Sequence, residues 1–381
     1  MNAPVPPSAR QSRRNTRAES SIAEKTEGDA YCDGAAMVTT STSFAGTVLG
    51  DLPAGEGQPV RSDGVEPAEW VGDVVVVDRS TVAEGIAQLT LRGIDDAALP
   101  EWAPGAHIEV TLPDGMLRQY SLTGDPTRAG TWTVAVLREE NGRGGSRYIH
   151  DNVSAGDRLS VRGPRNHFPL VEASEYRFVA GGIGITPLLP MIYAVARSGV
   201  SWSLDYCGRQ RSAMAFLEHL SPWADRVRLF AGSEGERIDA VELANGLGSE
   251  TALYCCGPAR LLESIDDACK AAGRMPPRVE YFSPKQLEGA TVDTEFEVEL
   301  TSSGVSVTVP VGRSILDVVR EAGVQVLASC EEGTCGTCEA EVIEGVPDHR
   351  DSVLSDAEKA ENAFMMICVS RSCSRRLVLD L

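Results

Sequence analysis

The sequence predicts three folded domains in series behind a long polar tail: an antiparallel β-barrel, an α/β domain on a parallel sheet, and a small α+β, β-grasp-like domain. Three observations predict this. Short strand-like runs crowd the stretch after Val71, strand and helix patterns alternate through the middle, and the chain turns acidic with a hairpin-and-helix pattern from about Thr291. At 381 residues the chain exceeds one ordinary domain. With 42% hydrophobic residues it can bury several cores.

Residues 1–68 are rich in Ser, Thr, Ala, Gly, Pro and charge without a sustained hydrophobic period, the composition of a disordered leader. The first 17 residues hold Arg10, Arg13, Arg14 and Arg17 and no acid, as in targeting peptides, but no clear amphipathic pattern accompanies them. The first domain, 69–170, carries VVVVD (74–78), AQLTLR (87–92), HIEVTL (107–112), RQYSLT (118–123) and TWTVAVL (131–137). Turns such as LPDG (112–115) separate them, as in a small antiparallel barrel. In the second, 171–286, YRFVA (176–180), WSLDYCG (202–208), VRLFAG (227–232) and ALYCCG (252–257) alternate with helical stretches, which implies a parallel sheet covered by helices. The third, 291–381, opens with EFEVEL (295–300) and VSVTVP (305–310) as a hairpin around SSG. RSILDVVREAG (313–323) then reads as a helix ended by Gly323.

The net charge of -20 argues against a nucleic-acid partner, because phosphate would be repelled. From Thr291 onward 17 acids face 7 bases, so half of the net negative charge lies there. Such an end suits a basic docking partner, or serves solubility. No apolar run reaches the roughly 18 residues of a membrane span, and no signal-peptide core is evident. The expectation is a cytoplasmic protein without membrane partners.

Ten cysteines in such a chain suggest metal or redox use rather than disulfides. Cys330, Cys335 and Cys338, with Cys368 some thirty residues on, have the spacing of plant-type ferredoxins. Two irons bridged by two sulfides need four thiolates, three of them from one tight loop. Gly333 and Gly336 would let that loop wrap closely and aim N–H groups at sulfur. The apolar run FMMI (364–367) would return Cys368 on a buried strand. Zinc also takes four cysteines, but structural zinc usually uses two short knuckles and only one is present. The other six cysteines are expected mostly to be small buried hydrophobes.

Arg118, Tyr120 and Ser121 sit on a barrel strand. A cation can pair with a phosphate, an aromatic can cover a flavin ring, and a hydroxyl can bond a ring nitrogen. Gly142-Arg143-Gly144-Gly145-Ser146 then enters a short helix, a phosphate cradle by geometry and dipole, or else a flexible hairpin tip. Together the two motifs point to a flavin. Gly181-Gly182-Ile183-Gly184-Ile185-Thr186-Pro187 follows a strand and opens a helix, where small residues let a pyrophosphate approach. Cys256 ends a later strand at the same sheet edge, either beside a nicotinamide or as a buried thiol. Phe282 would cap the flavin or fill the core.

RQYSLT, GRGGSRYIHD, GPRNHFPL, GGIGITPLL, YCCGP and SCEEGTCGTCEAEVIEG occur in this order. Together they resemble the phthalate dioxygenase reductase family, which includes vanillate O-demethylase reductases, from about residue 70 onward. The resemblance implies the domain order flavin, nicotinamide, ferredoxin. It implies FMN rather than FAD, NADH as donor, a [2Fe–2S] cluster, and a Rieske-type oxygenase docked on the acidic ferredoxin domain. It also implies that Arg118, Tyr120 and Ser121 contact the flavin, that Gly145 and Ser146 lie near its phosphate, and that Gly182, Gly184 and Thr186 line the nicotinamide site. Ser121, Thr186 and Cys256 are the candidate catalytic residues. One departure is Leu137, where some relatives carry a lysine; neighbouring Arg138 should point to the opposite face. The alternatives are an acceptor of the cytochrome P450 or diiron class, a flavin and iron–sulfur redox sensor, or a zinc-stabilised binding module. For NADPH, Asp205 would disfavour a 2′-phosphate, whereas Arg209 and Arg211 could accept one.

Overall fold

Strand alternation builds the first sheet. The computed structural model describes residues 70–284 and 293–381, so the expected leader lies outside the described residues. Strands β1 (Trp70–Ala83), β2 (Ile86–Gly93), β3 (His107–Thr111), β4 (Leu117–Ser121) and β5 (Trp132–Leu137), helix α1 (Gly145–Asn152) and β6 (Arg158–Arg165) form an antiparallel sheet of order β4-β3-β6-β1-β2-β5. A bridge between Leu122 and Val134 joins its two edges, closing a barrel. Every second residue points inward: Val74 and Val76, Leu89 and Leu91, Ile108 and Val110, and Val134 and Val136 fill the interior. α1 drops Ile149 onto this core.

Next come β7 (Glu175–Gly181), α2 (Ile185–Ser198), β8 (Ser201–Gly208), α3 (Leu217–Leu220), β9 (Val227–Ala231), α4 (Ala240–Asn245), β10 (Thr251–Cys256), α5 (Ala259–Ala271) and β11 (Arg278–Glu280). Their sheet is wholly parallel, with order β11-β10-β7-β8-β9. Its two faces carry separate cores. Phe178, Leu204 and Tyr254 pack with α2, while Val179, Leu253 and Cys255 pack with α4 and α5. Strand order reverses between β7 and β10, which opens a crevice at their carboxyl ends. The barrel's Ile86 and Ala135 belong to the first of these cores, so an apolar seam joins barrel and α/β domain.

The last sheet is built from β12 (Phe296–Leu300), β13 (Val305–Val309), β14 (Glu339–Glu344), β16 (Phe364–Met366) and β18 (Arg376–Asp380), with order β13-β12-β18-β14-β16. β12 and β18 run parallel and the other pairs antiparallel, a β-grasp arrangement over α6 (Ile315–Glu321). Ser314 caps α6 through the Asp317 N–H, and Gly323, at φ +88°, follows its end. A small ladder, β15 (Pro347–Asp348) with β17 (Arg371–Ser372), and α7 (Asp356–Glu361) complete the domain. All the described sheets fall within one compact unit. Among the described residues no helix is long and apolar enough to cross a membrane.

Candidate functional site

One cleft of about 220 Å³ draws its walls from the barrel, the α/β domain and the cysteine loop. The barrel supplies His107, Arg118, Gln119, Tyr120, Ser121, Leu137, Glu139, Arg143, Gly145 and Ser146, the α/β domain Ile183, Thr186, Glu280, Tyr281 and Phe282, and the cysteine loop Cys330, Glu332, Thr334 and Cys335. Of the residues expected from sequence, Arg118, Tyr120, Ser121, Gly145, Ser146, Thr186, Phe282, Cys330 and Cys335 therefore share one cavity. Gly182, Gly184, Cys256, Cys338 and Cys368 are not among its lining residues.

Arg118 and Arg143 line the cleft, with Glu139 and Glu332 among their neighbours in its wall. Gly144, at φ +92°, turns the chain into α1, whose first turn has no side-chain cap. Gly145 is required by close approach: a Cβ there would lie 2.6 Å from Arg118 Nε. Arg118 Nη1 donates to the Leu117 carbonyl at 2.7 Å and Nη2 to that of Arg143 at 3.1 Å. Burial and then the neighbouring Arg143 lower the Arg118 pKa. The Arg118 and Arg143 guanidiniums, the latter also paired with Glu332 at 3.0 Å, stand beside a helix start without a side-chain cap, a donor set that could hold an anion such as a flavin phosphate. Arg138, by contrast, is turned away and paired with Glu140 and Asp151, both at 2.6 Å, while Leu137 lines the cleft.

Along the wall, burial raises the Tyr120 pKa, and Ser121 is buried. Opposite Ser121 in the β3–β4 ladder stands His107. Burial above all, with His167 and Arg165 adding, pushes its pKa down to about 3, and its Nε2 has no partner. Phe282 is 43% exposed at the cleft, so it is no core residue.

At the crevice, Gly182 takes φ +57°, a backbone region that favours glycine, with open space where a Cβ would stand. Gly184 answers to packing, since a Cβ would strike the Cys256 carbonyl. Thr186 Oγ1 donates to the Ile183 carbonyl at 2.9 Å. Cys256 is fully buried, and its thiol lies 3.9 Å from Glu280 Oε2. Burial pushes the Glu280 carboxyl up to about 8, with the thiol pulling against it, and Glu280 rather than Cys256 reaches the cleft. Asp205 departs from expectation. It is fully buried in β8 and held by Arg177 and Arg228, so it serves the sheet and not a ribose.

The cysteine loop curls through Gly333 and Gly336, both at positive φ. At Gly333 a Cβ would lie 2.5 Å from Val369, and at Gly336 it would lie 2.6 Å from the His167 ring. The N–H groups aimed at sulfur are those of Glu332 and Thr334, at 3.3 and 3.4 Å from Cys330 Sγ. The thiols of Cys335 and Cys368 next to Cys330 lower its pKa, and Cys368 does the same for Cys338. Among the described residues no three such side chains converge on a single metal-ion position; a cluster of two irons asks instead for thiolates spread over two metal atoms, and this donor set fits one. Cys338 and Cys368 face the domain core, Cys330 and Cys335 the cleft. Three contacts seat the loop on the barrel: Gln119 donates to Ser329, Arg165 to Thr337 at 2.9 Å, and Arg143 pairs with Glu332 at 3.0 Å. Of the remaining cysteines, Cys255 and Cys269 are buried as expected. Cys207 is half-buried, Cys373 is exposed in the turn between β17 and β18, and Cys32 lies outside the described residues.

Sequence reasoning did not single out His107, Glu139, Glu280 or Glu332. Glu280 carried a faint signal, standing two residues before Phe282. Comparison with known proteins gives the lineage. Residues 298–373 match the 2Fe-2S iron-sulfur cluster binding domain family. The chain is 40% identical over 303 residues to phenoxybenzoate dioxygenase subunit beta of Ectopseudomonas oleovorans, covering 78% of this chain and 94% of that one. The solved phthalate dioxygenase reductase, described as modular for electron transfer from pyridine nucleotides to [2Fe–2S], is 37% identical at a TM-score of 0.59. The match covers 82% of this chain and 98% of that one. The chain belongs to the phthalate dioxygenase reductase family. An intact self-sufficient cytochrome P450 monooxygenase is also similar, at 40% identity and a TM-score of 0.75, but this chain spans 41% of its length. The reductase is thus an electron-transfer oxidoreductase of the oxygenase-reductase type, with a flavin, a nicotinamide cofactor and a [2Fe–2S] cluster.

Proposed function

We propose that the protein takes hydride from NADH onto FMN and delivers electrons, through its [2Fe–2S] cluster, to a Rieske-type oxygenase in the cytoplasm. The observation that carries this reading is the single cleft in which the Arg118–Arg143 seat, Thr186 and two cluster cysteines, Cys330 and Cys335, share a wall. A bound flavin accepts two electrons at once and releases them singly, and the cluster carries one at a time.

The chain's own residues prepare this. Arg118 and Arg143, with the first turn of α1, would hold the FMN phosphate, and Ser121 would bond the ring. Leu137, Ala135 and Ile183 contribute apolar lining to the cleft. Thr186 and the open Gly182 would receive the nicotinamide half. Glu280 holds a proton up to about pH 8 beside Cys256. The three seating contacts fix the cysteine loop against the barrel, so positioning supplies much of the catalysis. The acidic ferredoxin domain suits a basic face on the oxygenase. A second reading keeps the relay but makes a cytochrome P450 the acceptor, favoured by the likeness to the fused P450 chain.

The test is an anaerobic titration of purified protein with NADH, with the released flavin identified by chromatography. FMN release and bleaching of flavin and cluster absorbance by NADH support the proposal. A coloured protein that NADH leaves unbleached, or a colourless one holding zinc, sinks it.

A further inference from the structure

In open parallel sheets the adenosine ribose of a dinucleotide lies beyond the strand that follows the phosphate turn. There an acid receives a 2′-hydroxyl or an arginine a 2′-phosphate. Here that strand is β8, and it runs into Arg209-Gln210-Arg211. Arg211 is already engaged. Its Nε lies 2.9 Å from both carboxylate oxygens of Glu234, and its Nη2 donates to Glu236 Oε2 at 3.2 Å. The same Glu236 oxygen accepts the Ala231 N–H at 3.0 Å, so its carboxylate is anchored independently of the arginine. The Ser233 N–H donates to the Arg209 carbonyl at 2.9 Å and pins the loop after β9 against the end of β8. Arg209 and Arg237 are exposed neighbours of this arrangement.

We propose that Glu234 and Glu236 together make Arg211 a discriminator against NADPH. A 2′-phosphate arriving here would have to separate Arg211 from two carboxylates and would then lie beside both of them. A ribose 2′-hydroxyl meets no such conflict and finds acceptors at hand. This rests on the reading of the α/β domain as the NADH domain and deepens it to a named specificity element. Asp205, which the sequence suggested for this duty, is occupied inside the sheet.

The test is calorimetric binding of 5′-ADP and 2′,5′-ADP to the holoprotein, with the visible spectrum confirming that each variant keeps its cofactors. Wild type should bind 5′-ADP at least tenfold more tightly than 2′,5′-ADP. E234Q/E236Q should shift that ratio at least tenfold toward 2′,5′-ADP, E234Q alone by several-fold, and adding R211A to the double variant should cancel the gain. A wild-type ratio near one, or the same ratio in all variants, overturns the proposal. A wild type that binds neither nucleotide and is not bleached by NADH overturns the underlying reading and the proposal with it.

Discussion

Replacing Arg118 by alanine probes the anion seat and separates binding from folding. Arg118 stands against Arg143, and this repulsion, after burial, is what lowers its pKa. Its hydrogen bonds there go to two carbonyls, of Leu117 and Arg143. A bound anion beside the side chain would offset this repulsion. A charge-assisted hydrogen bond contributes about 1.5–3 kcal/mol. R118A should therefore weaken FMN by about 10- to 100-fold. The thermal midpoint of flavin-free protein should stay level or rise slightly, because the repulsion is relieved. R118K keeps the charge but loses the planar fork and should fall between. Quenching of FMN fluorescence on titration of flavin-free protein gives the affinity, and calorimetry the midpoint. R118A with wild-type FMN affinity would refute the phosphate seat. An equal fall in stability of the flavin-free protein would make Arg118 a structural residue instead.

The cluster loop and the half-buried Glu280 carboxyl give two further expectations. Gly333→Ala forces a side chain into φ +68° with its Cβ 2.5 Å from Val369, so iron and sulfide per chain should fall below half. Gly304→Ala has the same φ with open space around it and should keep its cluster; equal losses in both would remove the packing argument. Glu280 has a folded pKa of about 8, above its ordinary value, so the fold favours its neutral form. Its contribution is full below the unfolded pKa and is lost as pH rises through about 8. Glu280→Gln should therefore flatten the decline of the thermal midpoint between about pH 5 and 8 relative to wild type. Parallel wild-type and variant profiles would contradict this.

Much of this was legible because the decisive signals are local. The Cys330–Cys338 spacing, the β4 hexapeptide and the glycine turns each lie within a dozen residues, and each encodes one piece of backbone. Alternation along β5 also read correctly, with Leu137 at the cleft and Arg138 turned outward to its acids. What sequence could not give are pairings made by the sheets. Asp205 looked able to disfavour a 2′-phosphate because nothing local shows that Arg177 on β7 and Arg228 on β9 flank it. Arg211 looked free because its partners arrive from the next loop, more than twenty residues on. His107 gains meaning only from its register opposite Ser121. Gly184 looked like a phosphate residue, whereas the carbonyl of Cys256, on a strand added later in the chain, already explains it.

The central claim is that electrons enter at the flavin and leave through the cluster, and one variant tests it most directly. Cys335 lines the cleft and is one of the four proposed cluster ligands, so Cys335→Ser should lose the cluster and keep the flavin. NADH oxidation is then followed with ferricyanide, which can take electrons from flavin, and with cytochrome c, which should need the cluster. The account predicts near wild-type ferricyanide reduction and a loss of cytochrome c reduction of at least tenfold. Cytochrome c reduction persisting at the wild-type rate in a variant shown to lack iron would contradict it.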